Sequence, residues 1–205
     1  MLLAVSGLLA GRLLAQDTGG GSPAVAVVAA MPGTGIAPVV PPKGNPVDAA
    51  TAREKLRDNL DAQVAEFLKF HNDARAEVGA PPLIWDSQLA VYAQEWADEL
   101  GTSGIMKHRD QDQYGENIAG YFPVDGSRPV HGAKLWYDEK AKYHGEKMDE
   151  QNFQAFGHYT QVVWQKTQRV GFGIAMTKNG LVMLVANYAP PGNMLGERPS
   201  GAEMP

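Results

Sequence analysis

Apolar residues first recur every three or four positions. Leu56, Leu60, Val64, Phe67, Leu68 and His71 fall on one stripe, the spacing of one helix or of two in line. Gly79 and Pro81-Pro82 end it, because proline lacks the N–H that a helix interior needs. Asp86 can accept from the first free N–H groups of a second helix. That helix has an apolar stripe of Leu89, Ala93, Trp96 and Leu100, and Gly101 suits its stop. A third helix is predicted from near Ser127 to about His144, with Pro129 in its first turn. Elsewhere the period changes. Ile118–Phe122, Gly173–Thr177 and Leu181–Tyr188 read as strands, the last two joined by Lys178-Asn179-Gly180. Asn-Gly between two such runs signals a hairpin. Helices first and a hairpin later give an α+β chain, not alternating βαβ units.

The ends have a different character. Leu2–Ala15 is apolar but interrupted by Arg12, and is shorter than the roughly 20 residues of a spanning helix. It reads as a signal peptide over 1–16 with a cut near Ala15, although no basic segment precedes it, and it predicts export. Residues 17–50 hold 6 Gly and 6 Pro, the composition of a flexible tether. Residues 51–63 read as a lead-in helix or linker, 64–199 as the folded domain and 200–205 as a tail; the chain looks loose from Glu197 onward. Of 205 residues, 44% are hydrophobic and 20% charged, a globular composition. The net charge of −5 lacks the basic footprint of a nucleic-acid binder. With 0 Cys there are no disulfides, thiolate nucleophiles, Cys-bound zinc or iron–sulfur clusters.

Three stretches could carry chemistry. In the third helix Asp138 is four residues from both Lys134 and Lys142, on a charged face. Its neighbour Glu139 is three from Trp136 and four from Leu135 and Tyr143, so its carboxylate leaves an apolar face. Such an acid needs a partner or a ligand; a salt bridge to Lys or Arg and a functional site both satisfy it. His158 follows Gly157 at the start of an apolar segment, as a capping residue or a ligand would. His108–Asn117 is polar and contains Glu116, as a solvated loop or a site would. Two His and two Glu suit a divalent ion by type, although their spacing does not bring them together. No zincin, P-loop, dinucleotide or Gly-x-Ser-x-Gly motif is present.

Taken in order, His71-Asn72-Asp73-Ala74-Arg75, Tyr114-Gly115-Glu116-Asn117-Ile118, Leu135–Lys140, Gly157–Trp164 and Asn187–Asn193 resemble the CAP superfamily of cysteine-rich secretory, antigen 5 and pathogenesis-related class-one proteins. The resemblance implies an α-β-α sandwich with a small antiparallel sheet between helical layers. It also implies a cleft lined by His108, Glu116, Glu139 and His158. His131, eight residues before Glu139, competes with His108 for that place. Where many relatives carry disulfides, this chain has Phe156, Phe172 and Ala186.

The functions implied are three. One is a secreted binding module without catalysis. It would take a divalent metal on the four side chains (zinc first, calcium or magnesium as alternatives) and a sterol, fatty acid or other small apolar ligand. The second is a metal-assisted peptidase or cell-wall hydrolase with Glu116 or Glu139 as general base. The third is a structural polar cluster without a ligand.

Overall fold

The computed structural model describes residues 28–29, 60–122 and 128–200. Its elements run β1 (Val28–Ala29), α1 (Leu60–Ala76), β2 (Ile84–Trp85), α2 (Ser87–Ser103), β3 (Gly115–Tyr121), α3 (Pro129–Asp138), a 3-10 turn (Glu139–Lys142), α4 (Phe153–Val162), β4 (Arg169–Met176) and β5 (Val182–Ala189). The sheet has the order β1-β3-β5-β4-β2. Its three long strands are antiparallel, as expected, whereas β2 pairs parallel with β4 at the edge and makes the sheet mixed. The signal peptide, Leu56 and the tail beyond Ser200 lie outside the described residues, as does the 17–50 tether apart from β1, which pairs with Ala119 and Gly120.

Strand alternation divides the interior in two. On one face α1, α3 and α4 bury Phe67, Ala74, Ala133, Trp136, Tyr159 and Val162 against Ala119, Phe172, Ala186 and Tyr188. On the other, α2 buries Ala93, Ala97 and Leu100 against Ile118, Met183 and Val185. The predicted stripe of α1 becomes buried only from Phe67, since Leu60 is exposed. Trp136 and Trp164 are core, while Trp85 and Trp96 are half-buried. Phe172 and Ala186 are register partners within the first core, and Phe156 packs with Met148 and Trp164. Apolar packing thus surrounds all three of Phe156, Phe172 and Ala186.

Local chemistry explains the boundaries. Asp86 Oδ1 accepts from Gln88 N and Leu89 N, capping α2 as its sequence indicates. The stop differs from expectation. Gly104, at φ 68°, ends α2 and donates its N–H to Leu100 O. Gly101 lies inside the helix, where a Cβ would come within 2.9 Å of Ala175 Cβ. The third helix also divides, since α3 ends at Asp138 and tightens into the 3-10 turn before His144. The residues after Glu197 are less loose than they read: Gln165 N donates to Pro199 O, and Arg198 Nε to Gly145 O.

Two polar side chains of α1 are sealed in the core. Arg75 gives its N–H groups to four backbone carbonyls. His71 Nδ1 donates to Phe67 O at 2.9 Å, so its Nε2 accepts from the Tyr188 hydroxyl at 2.9 Å. Burial pushes the His71 pKa down from 6.5 to about 4, with nearby Arg75 acting in the same direction and the Phe67 bond opposing it. The unfolded chain therefore takes up a proton near pH 6.5 that the folded chain refuses until about pH 4. Below 6.5 the unfolded state binds more protons, so this contribution falls as pH falls and is flat above that point. Over the window the loss is about 3 kcal/mol. Urea unfolding between pH 7 and 4 should show this slope, and His71→Gln should reduce it; an identical slope in that variant excludes His71 as its source.

Candidate functional site

Glu116 is the second residue of β3. Alternation puts it on the same face as Ile118, the α2 face, opposite Asn187 of β5. His108 lies in the segment that returns from α2. Its Nδ1 donates to Glu116 Oε1 at 2.8 Å, and the Arg109 N–H reaches the same oxygen at 3.0 Å. Because an ionised carboxylate only accepts, the neutral ring carries its proton on Nδ1 and leaves Nε2 as the lone-pair atom. The segment is pinned further by Arg109, whose guanidinium lies 3.9 Å from the Tyr92 ring centroid and donates to Tyr92 O. Asn187 Nδ2 faces Gly115 O and Glu116 Oε2, at 3.3 and 3.4 Å. Its Oδ1 is buried without a hydrogen-bond partner among the described residues.

The second pair forms on the opposite layer. Phe156 has non-helical angles (φ −149°, ψ 16°) that kink α4. The helix begins anew after the kink, with N–H groups free of internal partners. Glu139 Oε2 accepts two of them, from His158 at 3.0 Å and Tyr159 at 3.2 Å, while Oε1 accepts from His158 Nδ1 at 2.7 Å. A carboxylate at a helix start is favourable for its charge as well as its hydrogen bonds. The partner of this apolar-facing acid is thus a histidine and a helix end, not Lys or Arg. The His158 ring lies nearly parallel to Trp136, at an interplanar angle of 14°.

Asn117 connects the two pairs. It follows Glu116 but points to the other face, where its Nδ2 donates to His158 O at 3.1 Å. The four residues expected in the cleft are therefore two His–Glu pairs flanking the start of β3. Each glutamate is engaged by imidazole and backbone N–H. Among the described residues no group of three or more His, Cys, Asp or Glu is arranged to hold a metal ion. Neither histidine Nε2 has a hydrogen-bond partner among the described residues. His131 stands edge-on to Tyr121 instead. Asn117 and Asn187 tie strands together and also bond the site, and strand alternation around Glu116 is the signal that could have found them.

Residues 68–188 match the family model for CAP, the cysteine-rich secretory protein family. The chain belongs to the CAP family. Pathogenesis-related protein 1A of Nicotiana tabacum is 41% identical to this CAP chain over 134 residues, covering 65% of it and 79% of the relative. Pathogenesis-related protein 1 of Arabidopsis thaliana is 36% identical over 141 residues, covering 65% and 80%. Among solved structures, the crystal structure of NaASP2 with Zn2+ aligns with a TM-score of 0.58 at 23% identity, covering 77% of this chain and 88% of the other. The hookworm platelet inhibitor aligns with a TM-score of 0.59 at 17% identity, covering 72% and 79%. Both likenesses support the α-β-α sandwich. Among the described residues no helix is long and apolar enough to cross a membrane.

Proposed function

We propose that this CAP chain is an exported, non-catalytic binding module that takes a divalent ion, zinc first, through His108 and His158. The observation that carries this reading is the state of the two rings. Each is held through Nδ1 by a glutamate, and each keeps Nε2 without a described partner. Carboxylates that orient metal-binding imidazoles in this way fix the tautomer and raise ligand basicity. The donor set fits two imidazoles as direct ligands and Glu116 and Glu139 as their supports, rather than four direct ligands. The buried Oδ1 of Asn187 beside Glu116 is a further acceptor without a donor among the described residues. A bound zinc ion would supply positive charge and open coordination positions.

The same geometry favours binding over hydrolysis. Glu139 already holds three donors, and one oxygen of Glu116 holds two, which leaves neither placed as a free general base. Export is supported by the apolar Leu2–Ala15 stretch and by the family. A sterol or fatty acid as second ligand is supported by family membership alone. Zinc titration calorimetry on the full chain should give saturable heat at one ion per chain, absent from the His108→Ala/His158→Ala double variant. Glu116→Gln and Glu139→Gln should each weaken zinc by about 10–100-fold. No heat from the unaltered chain, or equal heat from the double variant, overturns the metal reading.

A further inference from the structure

A buried chain of hydrogen bonds runs from the core to His158. His71 Nδ1 donates to Phe67 O, which leaves Nε2 to accept from Tyr188. The Tyr188 hydroxyl in turn accepts from Asn117 Nδ2 at 3.4 Å, and the same amide nitrogen donates to His158 O at 3.1 Å. His71 and Tyr188 are 0% exposed, and Asn117 is 1% exposed. The direction of every bond is fixed, because the Phe67 and His158 ends are carbonyls that can only accept.

We propose that Asn117 is a positioning residue for His158, held in its own rotamer by Tyr188 and His71, so that a core relay sets the aim of the site imidazole. The physical reason is the break in α4. Its second half starts beside His158, where Glu139 alone holds the first N–H groups. Glu139 also holds the ring itself, through Nδ1 at 2.7 Å, and how firmly that bond aims Nε2 depends on how firmly the backbone carrying the ring is held. Glu139 holds the N–H of His158, and Asn117 holds its carbonyl. His108 has no such link, its partner Glu116 being on the other face of the sheet.

The inference deepens the metal reading, but its test adds no metal. In the isotope-labelled full chain, NMR should show a solvent-protected Nδ1–H resonance for each of His108 and His158. Asn117→Leu should abolish the His158 resonance and leave that of His108. Tyr188→Phe, which keeps the ring, should speed exchange of the His158 proton about tenfold relative to His108. A role confined to packing would lower the thermal midpoint of both variants and leave both resonances as they were; that result overturns the proposal. If Asn117→Leu does not fold, Tyr188→Phe decides alone, and an unchanged exchange ratio overturns it. Failure of zinc to bind sinks the metal reading without touching this readout.

Discussion

Replacing Arg75 by methionine should destabilise the fold by about 4 kcal/mol. The guanidinium donates to Pro81 O at 2.6 Å, Val162 O at 3.0 Å, Trp164 O at 2.9 Å and Thr167 O at 2.8 Å. Burial lowers its pKa to about 10, so it is charged at neutral pH. No carboxylate forms a salt bridge with it among the described residues; carbonyl dipoles at the C-terminal end of α4 and in the following turn take that role. A buried ion pair can often be exchanged for apolar groups because both partners are replaced together. Here the partners are backbone and stay, and each orphaned carbonyl costs about 1–3 kcal/mol. Water entering the gap recovers part of that sum. Urea unfolding should show the loss, and Arg75→Lys, with fewer donors, should restore only part of it. A loss below about 1 kcal/mol in the methionine variant would contradict this account.

Gly171→Ala should cost about 3 kcal/mol or more. A Cβ at this position would lie 2.2 Å from Ala90 N and 2.7 Å from Asp86 O, both backbone atoms of the start of α2. Nothing there can rotate away, so the helix itself must lift from β4. A Cβ at Gly173 would likewise lie 2.3 Å from Gln94 N, and the Gln94 side chain bonds both the N–H and the C=O of Ile174. Gly132→Ala is the control. Its Cβ would meet the end of the Leu184 side chain at 2.3 Å, which can shift, so a smaller cost of about 1 kcal/mol is expected. Because Gly171 is the register partner of Asn187, its alanine variant should also disturb the amide that faces Glu116. Chemical denaturation of the two variants side by side decides the matter: equal costs would show that α2 adapts as easily as a leucine tip.

What the sequence revealed follows the range of each interaction. Asp86 and Lys178-Asn179-Gly180 were readable because a cap and a tight turn involve residues a few positions apart. Glu139 was readable halfway: helical spacing shows that its acid leaves an apolar face. Its partner depends on a kink at Phe156 that local pattern does not encode. Gly101 was misread as a stop because glycine serves both ends of helices and close contacts; the second use depends on Ala175, which is distant in sequence. Arg75 gave no signal beyond its place in the opening motif, since its four acceptors are carbonyls and carry no residue identity. The family pattern supplied His108, Glu116, Glu139 and His158. It did not supply their division into pairs, which arises from strand alternation at Glu116 and Asn117.

That division bears on how the molecule holds together. The two cores share the sheet but little else, and the imidazoles belong one to each layer. A ligand gripped by both would act as a clasp, joining the α2 layer to the α4 layer across the strand edge. Its binding free energy would then oppose separation of either layer from the sheet they share.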